Sequence, residues 1–259
     1  MKIYKIIPAI VPAILIAASL LVQSIAVHSQ NLTAKEIIVI ADEKNRGETM
    51  QSEMSMTIVR PKWERTISMK SWSKGDKYFM IYITSPAKEE GQVFLKVDTE
   101  MWNYVPTISR MIKIPPSMMM QSWMGSDFTN DDLVKQSSIV VDYTHTLLAE
   151  ETIREKECYK IELIPHEDAP VVWGKIVSWI TKDGFDLWKS EYYDEDGYLQ
   201  NTQNAYDIKT FGDRDVPSRM EIIPADKEGE KTVLVFSNSL FNVPIDDSFF
   251  SKQNMKKVK

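Results

Sequence analysis

The sequence is poor in the side chains from which disulfides and metal centres are built. It has one cysteine, Cys158, so no disulfide can form within the chain, and no neighbouring motif indicates a nucleophile. Its three histidines, His28, His145 and His166, show neither the HExxH spacing nor any other paired ligand spacing. We therefore expect no zinc-type metal site and no cofactor.

The common catalytic and nucleotide-binding motifs are also missing, because GxSxG, the P-loop and GxGxxG do not occur. Asp127, Asp131 and Asp132 form the one carboxylate cluster that invites a functional reading, but the segment lacks the pattern of a calcium-binding EF-hand loop. In the simpler interpretation, Thr129 or Asn130 caps a short helix whose first turn carries the acids. We predict no catalytic residues, so the chain is not expected to be an enzyme.

The chain also lacks a net positive charge. The formal net charge is −6, which argues against binding to nucleic acid. Hydrophobic residues make up 43% of the chain and charged residues 26%, the balance of a soluble globular protein. Neither an internal repeat nor a low-complexity linker divides the sequence, which favours one domain.

The first 29 residues have the layout of a secretory signal peptide. Lys2 and Lys5 precede an apolar run at residues 6–22, and small or tolerated residues follow it. An uncleaved membrane anchor is the alternative, although two prolines interrupt the run, which is short for a spanning helix. We predict cleavage near Ser29, with a cut after Ala26 left open, and residues 30–259 as the mature single domain.

Helical patterning is concentrated at the start of that domain. Thr33 and Glu36 have capping-box spacing and predict a first helix that ends at Gly47. From residue 54 onward apolar residues mostly recur with period two, in about a dozen short runs joined by turns such as Lys182-Asp183-Gly184. The run at residues 78–83 is apolar on both faces, so we expect a covering layer on each side of it. The pattern predicts an antiparallel sheet that curls into a barrel or half-barrel.

The centre of the chain carries an unusual concentration of soft apolar side chains. After Pro115-Pro116, six large apolar residues fall within eleven positions: Met118, Met119, Met120, Trp123, Met124 and Phe128. An ordinary exposed loop is polar and small, whereas methionine is over-used on surfaces that accept ligands of variable shape. Packing of a core under a lid is the alternative.

This central stretch also carries a family resemblance. The run Met101-Trp102-Asn103-Tyr104-Val105-Pro106 resembles the W-x-Y-x-P strand of the LolA-like outer-membrane lipoprotein-sorting proteins. The larger block resembles one subfamily of that group over Ile114-Pro115-Pro116-Ser117-Met118-Met119, Gln121-Ser122-Trp123-Met124-Gly125-Ser126-Asp127-Phe128 and Thr129-Asn130-Asp131-Asp132-Leu133. Upstream, Ser85-Pro86 and Gly91-Gln92-Val93-Phe94-Leu95-Lys96 fit as well. The similarity spans most of the mature chain, and the block is more specific than W-x-Y-x-P alone.

The resemblance implies a mainly β fold with α-helices: an open, strongly curved antiparallel half-barrel of about 11 strands, with helices covering the concave face. It implies a monomeric periplasmic carrier that holds the acyl chains of lipoproteins or lipids and moves them toward the outer membrane. The implied partners are the acylated lipoprotein or lipid cargo, an inner-membrane exporter and an outer-membrane acceptor. Cofactors and catalytic residues are not implied.

The expected lipid-binding residues are the apolar members of the matched block and the strand before it: Trp102, Tyr104, Ile112, Ile114, Met118, Met119, Trp123, Met124 and Phe128. The methionine- and tryptophan-rich centre departs from the founding carriers, which leaves the identity of the lipid open. The alternative function is a non-catalytic envelope-assembly or protein-interaction module that works with a lipid-exporting permease.

Overall fold

Antiparallel β-strands dominate the computed structural model, which describes residues 32–134, 138–169 and 171–259. The predicted signal peptide, residues 1–29, lies outside the described residues. The elements are, in chain order, α1 (Ala34–Arg46), β1 (Thr49–Arg60), β2 (Trp63–Lys74), β3 (Tyr78–Ser85), β4 (Val93–Val97), β5 (Glu100–Val105), β6 (Arg110–Ile114), α2 (Asn130–Val134), β7 (Tyr143–Ile153), β8 (Lys156–Pro165), β9 (Lys175–Thr181), β10 (Leu187–Tyr193), β11 (Leu199–Phe211), β12 (Arg214–Pro224) and β13 (Lys231–Phe241). Short 3₁₀ helices lie at Pro106–Ile108, Pro116–Met118, Trp123–Gly125, Ser138–Val140, Asp247–Phe249 and Asn254–Lys256.

The thirteen strands form one sheet in the order β6-β5-β4-β3-β2-β1-β13-β12-β11-β10-β9-β8-β7. The chain starts at the centre, runs by hairpins to the β6 edge, crosses to the β7 edge and returns to the centre, where β13 pairs with β1. Since β6 and β7 each have one neighbour, the sheet is open. The predicted mainly β, antiparallel, open fold is confirmed, but the sheet has thirteen strands instead of about 11 and is not strongly curled.

The first helix begins and ends as its sequence predicts. The Thr33 hydroxyl accepts a hydrogen bond from the Glu36 amide at 3.2 Å, and the Glu36 carboxylate accepts one from the Thr33 amide at 2.7 Å. These two bonds form a capping box, which satisfies amide groups left free at a helix start. Gly47 ends the helix with a φ of +62°, where a side chain would meet the Asn242 side chain.

One face of the sheet, which we call the inner face, is covered by α1 and by the segment between β6 and β7. Ile37 and Ile38 of α1 are buried against Ile161, Leu163 and Ile180 of β8 and β9. Burial of such a side chain stabilises the fold by about 1.5–3 kcal/mol. The described helices are all too short or too polar to span a membrane.

Residues 115–134, which we call the cover segment, pack on the inner face beside β1 to β4. Trp123 is 3% exposed and lies in one cluster with Met56 and Ile67. Its ring meets the Phe94 ring edge-on, with 5.3 Å between the centroids. The cover segment therefore closes the half of the inner face that α1 leaves uncovered.

The opposite, outer face of β3 to β5 is covered by the C-terminal residues 242–259. Ile245, Phe250 and Met255 are buried there against Met80 and Leu95. Asp246 caps the short helix that carries the aromatic pair of this segment, because its carboxylate accepts a hydrogen bond from the Ser248 amide at 2.8 Å. The expected layers on both sides of residues 78–83 are thus confirmed.

Candidate functional site

A cavity of about 270 Å³ lies between the inner face of the sheet and the segments that cover it. Its size is slightly below the roughly 300–1,000 Å³ typical of small-molecule sites. The floor comes from β1 to β4 and β9 to β13, and the roof from α1, the end of the cover segment and residues 171–173. Strands far apart in sequence therefore build one site.

The walls of the cavity are mainly apolar. Sheet residues on the wall include Ile176, Ile180, Met220, Ile222 and Phe236, and roof residues include Ile38, Phe128, Leu133 and Val171. Such a lining excludes water from hydrocarbon without offering a reactive group. The site is suited to holding an apolar ligand.

One end of the cavity is charged. Lys96, which is 9% exposed, reaches it from β4 and donates a hydrogen bond to the backbone carbonyl of Asp76. Burial, aided by the Arg46 guanidinium and opposed by Asp76 and Asp98, lowers the pKa of Lys96 to about 8. Arg46 forms an ion pair with Asp42 at 2.5 Å.

The other end of the cavity carries buried acids and aromatic hydroxyls. Burial raises the pKa of Asp132, whose carboxylate accepts hydrogen bonds from the Thr129 amide at 2.8 Å and from the Trp173 indole at 3.4 Å. Burial also raises the pKa values of Tyr143 and Tyr192, which favours their neutral hydroxyl forms. This end is polar, and the described residues of its lining include no lysine or arginine.

The acidic segment before β7 is a capped helix start, as the capping interpretation predicts. The Thr129 hydroxyl accepts a hydrogen bond from the Asp132 amide at 3.1 Å. Asn130 has a different role, because its side-chain amide donates to the Met118 carbonyl at 2.9 Å. Within residues 32–134, 138–169 and 171–259, three or more His, Cys, Asp or Glu side chains nowhere gather in a way that could hold a metal ion.

The structure divides the nine predicted lipid-binding residues among three places. Phe128 lines the cavity. Five others pack on the inner face beside β1 to β4, next to the cavity but outside its lining: Ile114, Met118, Met119, Trp123 and Met124. Most of the predicted residues therefore hold the cover segment against the sheet and do not line the cavity.

The remaining three residues do not face the cavity. Trp102 and Tyr104 pack on the outer face of β5 with the C-terminal residues, and Ile112 is 44% exposed on the edge strand β6. Successive side chains of a strand point to opposite faces, so the inward position of Met101 turns both aromatic residues outward. Because apolar residues occur on both faces of the strand, with Met101 and Val105 inward, the sequence alone does not reveal this orientation.

Most of the cavity wall lies in strands to which the sequence pattern assigned no function. Ile176, Met220 and Phe236 belong to three strands of the second half of the sheet. The period-two pattern could have assigned each of them to one face of its strand. The order of the strands in the sheet brings these three residues together, and the local sequence pattern does not predict that order.

Basic side chains fasten the cover segment to the start of β2 and the end of β1. Arg60 donates two hydrogen bonds to the Asp127 carboxylate, at 3.0 and 3.1 Å, and one to the Gly125 carbonyl at 3.1 Å. Arg65 donates to the Met124 carbonyl, and the Thr232 hydroxyl donates to Asp127 at 2.7 Å. This latch, defined by Arg60, Arg65 and Asp127, holds one end of the roof on the sheet.

Comparison with other proteins points to one family. Residues 75–257 match a family model whose description reads "-like: Uncharacterized protein". No curated protein matches the chain. The fold is similar to that of a DUF1329 family protein from Desulfovibrio piger, with a TM-score of 0.79 and 25% identity over 86% of this chain and 97% of the other.

Two further solved structures are similar over the same share of the chain. A LolA superfamily protein from Nitrosomonas europaea matches with a TM-score of 0.74 and 26% identity, over 86% of this chain and 99% of the other. A candidate outer membrane lipoprotein-sorting protein domain from Vibrio parahaemolyticus matches with a TM-score of 0.76 and 23% identity, over 86% of this chain and 98% of the other.

Proposed function

The chain belongs to the LolA-like family of outer-membrane lipoprotein-sorting proteins, and from this premise we propose that it is a carrier of acyl chains. In this proposal it holds the hydrocarbon of a lipid or lipoprotein in the inner-face cavity and moves it toward the outer membrane. No covalent step is needed, so the role is non-catalytic. The proposed compartment is the periplasm, which the signal-peptide pattern of residues 1–29 supports.

The apolar cavity is the single observation that carries this proposal. Its floor includes Met220 and Phe236 and its roof includes Ile38 and Phe128. Each CH₂ group moved from water into such surroundings gains about 0.8 kcal/mol, so a chain of several CH₂ groups gains several kcal/mol. A transfer protein must supply that free energy while the chain is away from a membrane.

The roof supplies the means of release in this proposal. Met118, Met119 and Met124 are only partly buried where the cover segment packs on the sheet, and unbranched methionine side chains repack easily. Opening of the cover segment would enlarge the cavity for a longer chain.

Binding by the purified mature protein is the direct test. Residues 30–259 are produced in the bacterial envelope, and lipid extracts of the protein are analysed by mass spectrometry, followed by calorimetric titration with dodecanoate. The proposal expects co-purified acyl lipid or saturable binding of the probe. A protein that is reproducibly empty and binds no probe contradicts it.

A matched pair of methionine variants assigns the binding to the cavity. Met220→Lys puts a charge on the cavity wall, whereas Met111→Lys makes the same change at a half-buried position of the outer face. Because an uncompensated charge in an apolar site is costly, Met220→Lys should weaken dodecanoate binding at least about tenfold. Met111→Lys should leave dodecanoate affinity unchanged. An equal loss of affinity in both variants would show that the cavity is not the binding site.

An envelope-assembly or protein-interaction module is the second candidate function. It is favoured by the edge strand β7, on which Leu147 and Leu148 are 43% and 48% exposed. Exposed strand edges are templates for pairing with another chain. This candidate predicts a stable complex with an envelope protein, weakened by Leu147→Lys, and no affinity for dodecanoate.

A further inference from the structure

Lys96 carries a buried charge that lacks a buried counter-ion. Its side chain lies at the charged end of the cavity, and its described hydrogen bond goes to a backbone carbonyl, that of Asp76. Within the described part of the chain Lys96 forms no salt bridge. Buried charges in proteins are normally paired, because desolvation of an unpaired ion is costly.

The described carboxylates near Lys96 lower the cost of its charge but form no ion pair with it. Asp42 already pairs with Arg46, and the Nε atom of Arg46 is buried with no hydrogen-bond partner among the described residues. Asp76 lines the cavity near Lys96 but its side chain is exposed, and the exposed side chain of Asp98 pairs with Lys77. The cavity lining at this end therefore holds two cations and two carboxylates, of which Asp42 and Arg46 pair with each other, so the Lys96 ammonium and the Arg46 Nε–H are open to a further acceptor.

Hydrocarbon-binding surface begins directly beside this charge. Met50, Phe79 and Phe241 line the same cavity as Lys96, and the apolar wall continues to Met220 and Phe236. A ligand that satisfies both parts needs a negative group at one end and a hydrocarbon chain at the other.

We propose that the cavity binds an anionic amphiphile, whose carboxylate or phosphate head pairs with Lys96 and the free Nε–H of Arg46 while its chain lies along the apolar wall. This inference rests on the proposed carrier function and narrows its cargo to lipids with a negative head group. The head group supplies an ionic acceptor for the ammonium, which has only a backbone carbonyl in the described structure, and an acceptor for the unpartnered Nε–H of Arg46. Such charge-assisted hydrogen bonds are the stronger ones.

Calorimetric titration of the mature protein with chains of one length separates the head group from the chain. Dodecanoate and dodecyl phosphate are the anionic probes, dodecanol is the neutral probe, and acetate and inorganic phosphate are the anions without a chain. We expect both anionic probes to bind at least about tenfold more tightly than dodecanol. Acetate and inorganic phosphate should not bind measurably, because they gain nothing from the apolar wall.

Three variants assign the preference to Lys96. Lys96→Met keeps the apolar stem and should lose the preference for the anionic probes without losing dodecanol, while Lys96→Arg should keep part of that preference. Lys77→Met removes a positive charge from an exposed side chain of the adjacent turn and should change nothing. A thermal melt of each variant establishes that it is folded.

The failures of the two proposals are distinguishable. Equal binding of dodecanol and dodecanoate to the unchanged protein overturns the anionic head-group site and leaves the carrier function standing. A preference for anions that persists in Lys96→Met overturns the assignment to this residue. Absence of binding to every probe with a chain overturns the carrier function itself.

Discussion

Lys96 sits where the folded protein disfavours a positive charge. Burial and the Arg46 guanidinium lower its pKa from an ordinary value near 10.5 to about 8, against the opposing pull of Asp76 and Asp98. Asp42, the other charged residue of α1 at this end, does not pair with Lys96 because it pairs with Arg46. The protonation of one residue therefore changes within an accessible pH range and makes the head-group site testable by titration.

Binding of dodecanoate should weaken as the pH rises through about 8. Below that pH Lys96 is protonated and pairs with the carboxylate, and above it the fraction of neutral lysine grows. Calorimetric titrations from pH 6.5 to 9.5 measure the effect, with dodecanol and Lys96→Met as controls that should stay flat. The same pH dependence in Lys96→Met would contradict the role of this lysine.

The free energy of unfolding of the ligand-free protein should change in the opposite direction. Between about pH 8 and pH 10.5 the unfolded chain holds the Lys96 proton more tightly than the folded chain, so folding becomes more favourable as the pH rises. The gain should be on the order of 1 to 3 kcal/mol, since each pKa unit corresponds to about 1.4 kcal/mol. Urea denaturation of the protein and of Lys96→Met at each pH isolates this contribution. A difference in the free energy of unfolding between the two that stays constant over this pH range would refute it.

At the scale of elements, the latch controls how firmly the roof is held. Arg60 and Asp127 form a bidentate pair whose side chains are 12% and 4% exposed. Removal of one partner of a buried pair typically costs about 3–5 kcal/mol, because the other charge is left uncompensated. Loss of this ion pair should therefore release one end of the roof from the sheet.

Arg60→Met should loosen the cover segment more than the rest of the fold. We expect faster amide hydrogen exchange in residues 115–134 and faster release of dodecanoate, while exchange in β8 and β9 stays as it is. Lys189→Met, which removes a cation from the Lys189–Glu191 pair on the outer face, is the matched control. Uniform acceleration over the whole chain in Arg60→Met would show global destabilisation instead of local opening.

The elements that sequence patterns predicted are those specified by local chemistry. Thr33 and Glu36 cap α1, Thr129 caps the short helix of the cover segment, and strand alternation predicts the hairpins. The sequence did not predict which face of the sheet Trp102 lies on, because its strand has apolar residues on both faces. The C-terminal residues that cover Trp102 lie about 140 positions further along the chain. Local patterns do not contain contacts of that range.

At the scale of the whole molecule, the order of the sheet makes the cavity. Pairing of β13 with β1 joins the two halves of the chain at the centre, so that Phe236 lies opposite Met54 on the inner face. The cover segment roofs one half and α1 the other. The cavity wall proposed to contact cargo is therefore spread over strands β1 to β4 and β9 to β13, whereas the methionine-rich centre chiefly anchors the roof.

Photo-crosslinking with a dodecanoate analogue that carries a diazirine at its chain end tests the central claim most directly. The mature protein is irradiated with the probe and digested, and the labelled residues are identified by mass spectrometry. We predict adducts on cavity-lining side chains such as Ile176, Met220 and Phe236, which excess dodecanoate suppresses. Labelling confined to the outer face, at Trp102 and Tyr104, or no labelling that dodecanoate competes away, would contradict an acyl-chain carrier with its site on the inner face.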